Sequence, residues 1–407
     1  MALKGMLRVA ALALLAPFVY ERGQLLSTIF WRNAPHRLVK VNTFASHEVR
    51  FADRIRSCED ALMIESEGLA ILGCDPGRER WNTVMGIFLP GPVESGGLYV
   101  FDYKNADVPD EAALRRLAFV DFEFQSDFHS LGMAYDEPTS TLLVASHRHD
   151  YPAVEVFRLD LKAHTATHLR SIQHPLIHGP NAIALVSDRE FYVTNSNHFA
   201  VRDHPFLHPL EVNLGLPGGT VVHVDASPSL ADPASPVRAS VVARLAFANG
   251  IELLLNDTTA VVSSSAKARV HFFAISRPGD DDGRGPPTFR PVSALPVPFS
   301  PDNLAVSGDG ALLIAGHPHV PSLGKFARTR HVCNAPDELA AADAHTRETC
   351  GTLSAPSWAA RWTEKDGLQT LYADVEYPSS ATAVRDSGRK MGIISGLYAR
   401  GILVWRE

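Results

Sequence analysis

Glu59, Asp60, Asn181, Asn249, Asp302 and Asn303 each open a short apolar run, and each offers a carboxylate or amide oxygen. His129 opens another such run. For any one of them turn chemistry is explanation enough, because Asn and Asp favour the loops that precede strands. The repeated offset asks for more. Several such oxygens aimed at one spot without a cation would leave costly unpaired polarity, so together they favour a bound ion. Carboxylate and amide oxygens are hard donors with no thiolate among them, which selects calcium over zinc or copper. Magnesium demands stricter octahedral geometry, whereas calcium tolerates irregular oxygens gathered from distant loops; manganese would accept the same donors.

Histidine adds a second set of groups. His147 follows Val-Ala-Ser, His198 follows Asn-Ser-Asn and His317 follows Ala-Gly, each after the partner strand of its run. The chain has 18 histidines, so any single one is more readily a surface or hydrogen-bonded structural residue than a catalyst. His129 and His147 open one strand and close its neighbour, which places them close enough to share a proton.

Residues so far apart can meet only if the elements repeat. One unit, polar residues followed by an apolar strand, a turn and a second apolar strand, occurs six times. Its first apolar anchors are Leu62, Leu131, Ile183, Ile251, Leu304 and Ala383, at intervals of 52 to 79 residues. Further alternating runs, Ala153 to Leu159 and Arg269 to Ile275, supply outer strands. Almost no stretch has sustained helical periodicity. A sandwich or barrel does not predict six similar hairpins, whereas radial repetition does, so the fold is all-β, a six-bladed β-propeller with a central calcium-binding channel. Residues 75–92 and 196–217 would roof that channel, and residues 277–298 and 325–356 read as excursions from the blades. The acidic run 280–282 in the first excursion reads as a solvated charge cluster.

Composition bounds the partners. Hydrophobic residues make up 45% of the chain and the net charge is -7, without a basic run, so nucleic acid is not an expected partner. Lys4 and Arg8 precede an apolar stretch over 10–20, followed by Glu21 and Arg22, the layout of a signal peptide or a retained anchor. Residues 1–44 are therefore read as leader and linker and 45–407 as propeller, with a secretory destination and membrane or lipid association through the leader. Cys333 and Cys350 can close a disulfide over a polar segment, while Cys58 and Cys74 read as buried thiols in strand-like sequence. Asn256-Asp-Thr258 matches a glycosylation acceptor.

With Asp127-Phe-His129, Val144-Ala-Ser-His147, Phe247-Ala-Asn-Gly250, Pro301-Asp-Asn303 and Gly316-His-Pro318, the chain resembles the paraoxonase and arylesterase family of calcium-dependent six-bladed propellers over about residues 45 to 400. The resemblance implies that Glu59, Asn181, Asn249, Asp302 and Asn303 hold a catalytic calcium. It implies His129 as general base toward water, His147 as its proton relay and His317 in the substrate cavity. It also implies a structural calcium on Asp60, on the main-chain oxygen of Leu131 and on an Asp after the channel Asn, but that last position is Ala182. The family's terminal disulfide has no C-terminal Cys to make it, so ring closure must rest on strand pairing. The expected activity is hydrolysis of small esters or lactones. Glu59 or Asp302 is an alternative base, and a gluconolactonase-like or strictosidine-synthase-like enzyme, or a non-catalytic calcium-stabilised propeller, is an alternative protein.

Overall fold

In the computed structural model, the described residues are 16–105, 108–227, 236–255, 257–277 and 285–407. Most of the apolar leader, Asn256 of the glycosylation pattern and the acidic run 280–282 lie outside them. Six sheets, antiparallel except where Ala118–Val120 joins the second one in parallel, stand around one axis. Their inner strands are Cys58–Ile64, Ser130–Asp136, Pro180–Leu185, Ala248–Leu253, Ser300–Val306 and Ser380–Asp386, and each neighbours the next, the sixth returning to the first. The second strands are Leu69–Cys74, Thr141–His147, Glu190–Asn195, Thr259–Ser264, Leu312–His317 and Met391–Gly396. The expected outer runs fall in the third strands Pro152–Asp160 and Arg269–Ser276.

Inner and second strands read as apolar runs rather than alternating ones because each blade is covered on both faces by its neighbours. Leu142, Leu143, Val144 and Ala145 are all buried, and Leu131, Ile183, Val193 and Val222 pack between the second and third blades. The ring closes by strand pairing. Ser46–Arg50 pairs antiparallel with Ile402–Arg406 and forms the outermost strand of the sixth blade. Among the described residues the first sheet strand lies slightly earlier, where Val41–Asn42 pairs with the fifth blade.

Three expectations change. Residues 288–296 of the excursion read over 277–298 are the fourth strand of the fourth blade, Thr288–Pro296, paired with Arg269–Ser276. Cys58 and Cys74 face each other across the first hairpin and are joined, so the pair read as buried thiols is a disulfide; Cys333 and Cys350 are joined as anticipated. The excursion at 325–356 is part of a helical insertion, Val320–Cys333, Pro336–Ala341 and Ala344–Thr352. The first of these helices starts at a His319 cap with Pro321 behind it and buries Leu323, Phe326, Ala327 and Arg330, a spacing of three and four that marks one helical face.

The alternating long and short repeat intervals have a simple origin. Blades one, three and five carry long connections between their second and third strands, over 75–96, 196–218 and 318–356, whereas those of blades two and four are short turns. Because strands alternate in direction, that connection lies at the end of the blade where the inner strand begins. All three insertions therefore rise over the same mouth of the channel.

Candidate metal centre and cavity

Each inner strand slips register against its second strand near its start: between Cys58 and Asp60, Ser130 and Met133, Pro180 and Ile183, Ala248 and Ile251, Pro301 and Leu304, and Ser380 and Thr382. A bulge releases residues from the ladder and re-aims their side chains. The residues between the paired positions are Glu59, Leu131 with Gly132, Asn181 with Ala182, Asn249 with Gly250, Asp302 with Asn303, and Ala381. Neighbouring backbones approach closely here. A Cβ on Gly250 would fall 2.7 Å from the Asp302 carbonyl oxygen and 2.8 Å from Asn303 Cα, which explains the Asn-Gly pair.

Three amides are held by their nitrogen ends. Asn181 Nδ2 donates to Ser196 Oγ at 3.0 Å, Asn249 Nδ2 to Ser265 Oγ at 3.1 Å, and Asn303 Nδ2 to Glu59 Oε1 at 3.0 Å and Thr382 Oγ1 at 2.9 Å. Their carbonyl oxygens, and Glu59 Oε2, are buried without any hydrogen-bond partner. Four orphaned oxygens from four expected ligands of the first calcium are what a cation-binding ring requires, since buried acceptors are otherwise satisfied. Asp302, the fifth, accepts from His317 Nε2 at 2.9 Å. Burial, with the Asp302 and Asp60 carboxylates beside it, pushes Glu59 well above the usual carboxylate range against the opposing pull of Arg78. This donor set fits calcium.

Asp60 differs. Its Oδ2 accepts from Met133 N at 2.7 Å, and its Oδ1 accepts from Ala61 N at 2.8 Å and lies 3.0 Å from the Thr382 hydroxyl. With Ala182 lacking a carboxylate, the residues of the expected second site, Asp60 and Leu131, do not fit a second calcium: one is already bonded by the protein, and the other offers a single carbonyl.

The histidines part company. The register puts Leu131, not His129, at the bulge of the second blade, and His129 falls two residues earlier. It donates from Nδ1 to Asp75 at 3.1 Å and lies with Nε2 3.3 Å from Asp127. Burial pulls this imidazole down, but the two carboxylates outweigh it and raise its pKa to about 9. His147 does not bond His129. Its Nε2 donates to the Pro180 carbonyl at 2.7 Å and its Nδ1 meets the Thr83 hydroxyl, while burial lowers its pKa to about 4. His198 stands away from the ring, its backbone N–H donating to Glu211. His317 lines the cavity, with Nδ1 left unpartnered.

That cavity, about 180 Å³, has a polar floor of Glu59, Asn181, Asn249, Asp302 and His317. Its walls come from all three insertions and from the N-terminal helical segment, through Val84, Val212, Leu323 and Ile29 among others. Sequence reasoning missed two residues, one in the cavity wall and one bonded to the ring through Asn303. Arg78, 2% exposed, is a fixed cation in the wall; Thr382 gives the sixth blade a polar group beside the ring. Arg78 carried no repeat signal, but Thr382 follows Ala381 as Asp60 follows Glu59 and Asn303 follows Asp302, and an aligned reading of the repeats would have found it.

A family profile described as Arylesterase matches residues 83–332. The chain belongs to the arylesterase family. It is 29% identical over 194 residues to serum paraoxonase/arylesterase 1 of Rattus norvegicus, covering 47% of this chain and 49% of that one. Against the Homo sapiens protein of the same name it is 27% identical over 296 residues, covering 68% and 76%. The chain thus spans about half the length of the rat relative it matches. Among solved structures, a luciferin-regenerating enzyme superposes with a TM-score of 0.50 at 10% identity, covering 89% of this arylesterase-family chain and 95% of that one, a likeness of fold.

Proposed function

We propose that this protein is a calcium-dependent hydrolase of small carboxylic esters and lactones. The observation that carries the reading is the ring of four unpartnered buried oxygens on Glu59, Asn181, Asn249 and Asn303 at the floor of a largely apolar cavity. Calcium held by Glu59, Asn181, Asn249, Asp302 and Asn303 would supply Lewis-acid polarisation of the substrate carbonyl.

The remaining work falls to side chains. Asp302 holds His317 by Nε2–H, which fixes the tautomer and leaves the Nδ1 lone pair to take a proton from water, a role that contributes about 10²–10⁴-fold. His129 turns Nδ1 to Asp75 and Nε2 to Asp127 and does not line the cavity, so neither nitrogen meets a water held there. The Arg78 guanidinium places a permanent positive charge where negative charge develops on the substrate oxygen or on the carboxylate product. Leu26, Ile29, Val84 and Met85 exclude water and receive the apolar part of the substrate. The two disulfides support maturation in an oxidising compartment. Hydrolysis of phenyl acetate and of a small lactone should disappear on chelation and return with added calcium; hydrolysis that persists in chelator overturns the proposal.

A further inference from the structure

We propose that Asp127, His129 and His149 form a separate metal site at the rim of the channel, suited to a zinc-class divalent cation rather than to calcium. Asp127 Oδ1 lies 3.3 Å from His129 Nε2 and 2.5 Å from His149 Nδ1, and one donor atom from each residue falls within 4.8 Å of the other two. Two imidazoles and a carboxylate are donors for zinc and its neighbours, whereas calcium takes oxygens. Around a tetrahedral zinc ion with bonds of about 2.0–2.1 Å, adjacent donor atoms stand about 3.3 Å apart. The Asp127 and His129 pair already has this spacing. His149, whose side chain is 44% exposed, can withdraw the fraction of an ångström it needs.

The supporting contacts are those a metal site uses. His129 Nδ1–H donates to Asp75, a carboxylate only 2% exposed, which fixes the ring with Nε2 turned to the other two groups. The His149 ring stacks on Trp81 at 4.0 Å between centroids, and its backbone N–H donates to Asp127 Oδ2 at 3.0 Å, leaving Oδ1 toward the imidazoles. Asp75 and Asp127 together balance a divalent charge with both imidazoles neutral. Asp127 is 27% exposed, so solvent reaches a fourth position, as in open rather than closed zinc sites. None of the three donors lines the calcium cavity.

The test titrates calcium-saturated protein with zinc(II) by calorimetry and with cobalt(II) by visible absorption. One equivalent of each should bind, with the d–d bands of nitrogen-ligated cobalt. His149→Ala should weaken zinc at least tenfold and Asp75→Asn about 10–100-fold, and His149→Ala should keep its calcium titration and melting curve. Asp127→Asn provides a second variant should His149→Ala fail to fold. Zinc that binds wild type and these variants alike, or that displaces calcium one for one, overturns the site.

Discussion

Glu59 and Asp60 are consecutive carboxylates at one bulge, and their surroundings are opposite. Glu59 keeps one buried oxygen without a partner and joins three amide oxygens in the same state, while every Asp60 oxygen is answered by a protein donor. An acidic residue in a channel is thus not by itself a ligand; what separates the two is whether the fold has already used the lone pairs. The upper ring keeps four oxygens open to a cation, and the level below has been closed with hydrogen bonds.

The largest effect should come from breaking the upper ring. Glu59→Gln removes the charge that the ring shares, and ester hydrolysis should fall beyond about 10²-fold with calcium affinity falling in parallel, read by turnover and calorimetry; unchanged affinity would place the ion elsewhere. His317→Gln should lower kcat by about 10²–10⁴-fold at saturating calcium, a larger loss than His129→Gln gives. The reverse order would return the base to His129. Calcium at 100 times its Kd should stabilise the fold by about 2.7 kcal/mol, read as a rise in Tm that Glu59→Gln abolishes.

The lower level should respond differently. Asp60→Asn should cost about 1–3 kcal/mol of stability through lost acceptors, with calcium stoichiometry staying at one per chain. Smallest is a pH effect. Burial holds Asp60 up at about 6 despite the Met133, Thr382 and Ala61 donors, and burial with the Asp60 charge holds Glu252 up at about 8. Carboxyls raised in the folded state contribute stability that is full below their unfolded values, near 4, and lost as pH rises through the folded ones. The Tm of calcium-free protein should therefore decline from about pH 4 to pH 8, and Asp60→Asn should flatten the lower part of that slope.

Repetition made much of this legible from residues alone. Six hairpins revealed the ring, and the offset of Asn181, Asn249 and Asp302 pointed to one meeting place. What failed was alignment within the repeat: His129 was grouped with those residues, yet the register gives that position to Leu131. A bulge changes which neighbour a residue faces without changing the apolar pattern, so periodicity could not reveal it. The helical face at Leu323, Phe326, Ala327 and Arg330 was present in the sequence but short and lodged among polar residues. Arg78 lay in a connection whose conformation no local pattern encodes.

Strand Ser46–Arg50 and strand Ile402–Arg406 flank all six inner strands in sequence, and their pairing has a kinetic meaning. Arg50 and Ile402 must find each other across the whole ring, a contact of very high sequence separation whose loop entropy is met late in folding. Asn303 reaches Glu59 only across the sixth blade that this pairing completes. Competence to bind a cation should accordingly appear after most secondary structure has formed, and a chain in which this pairing has not yet formed would present unpaired strand edges to chaperones.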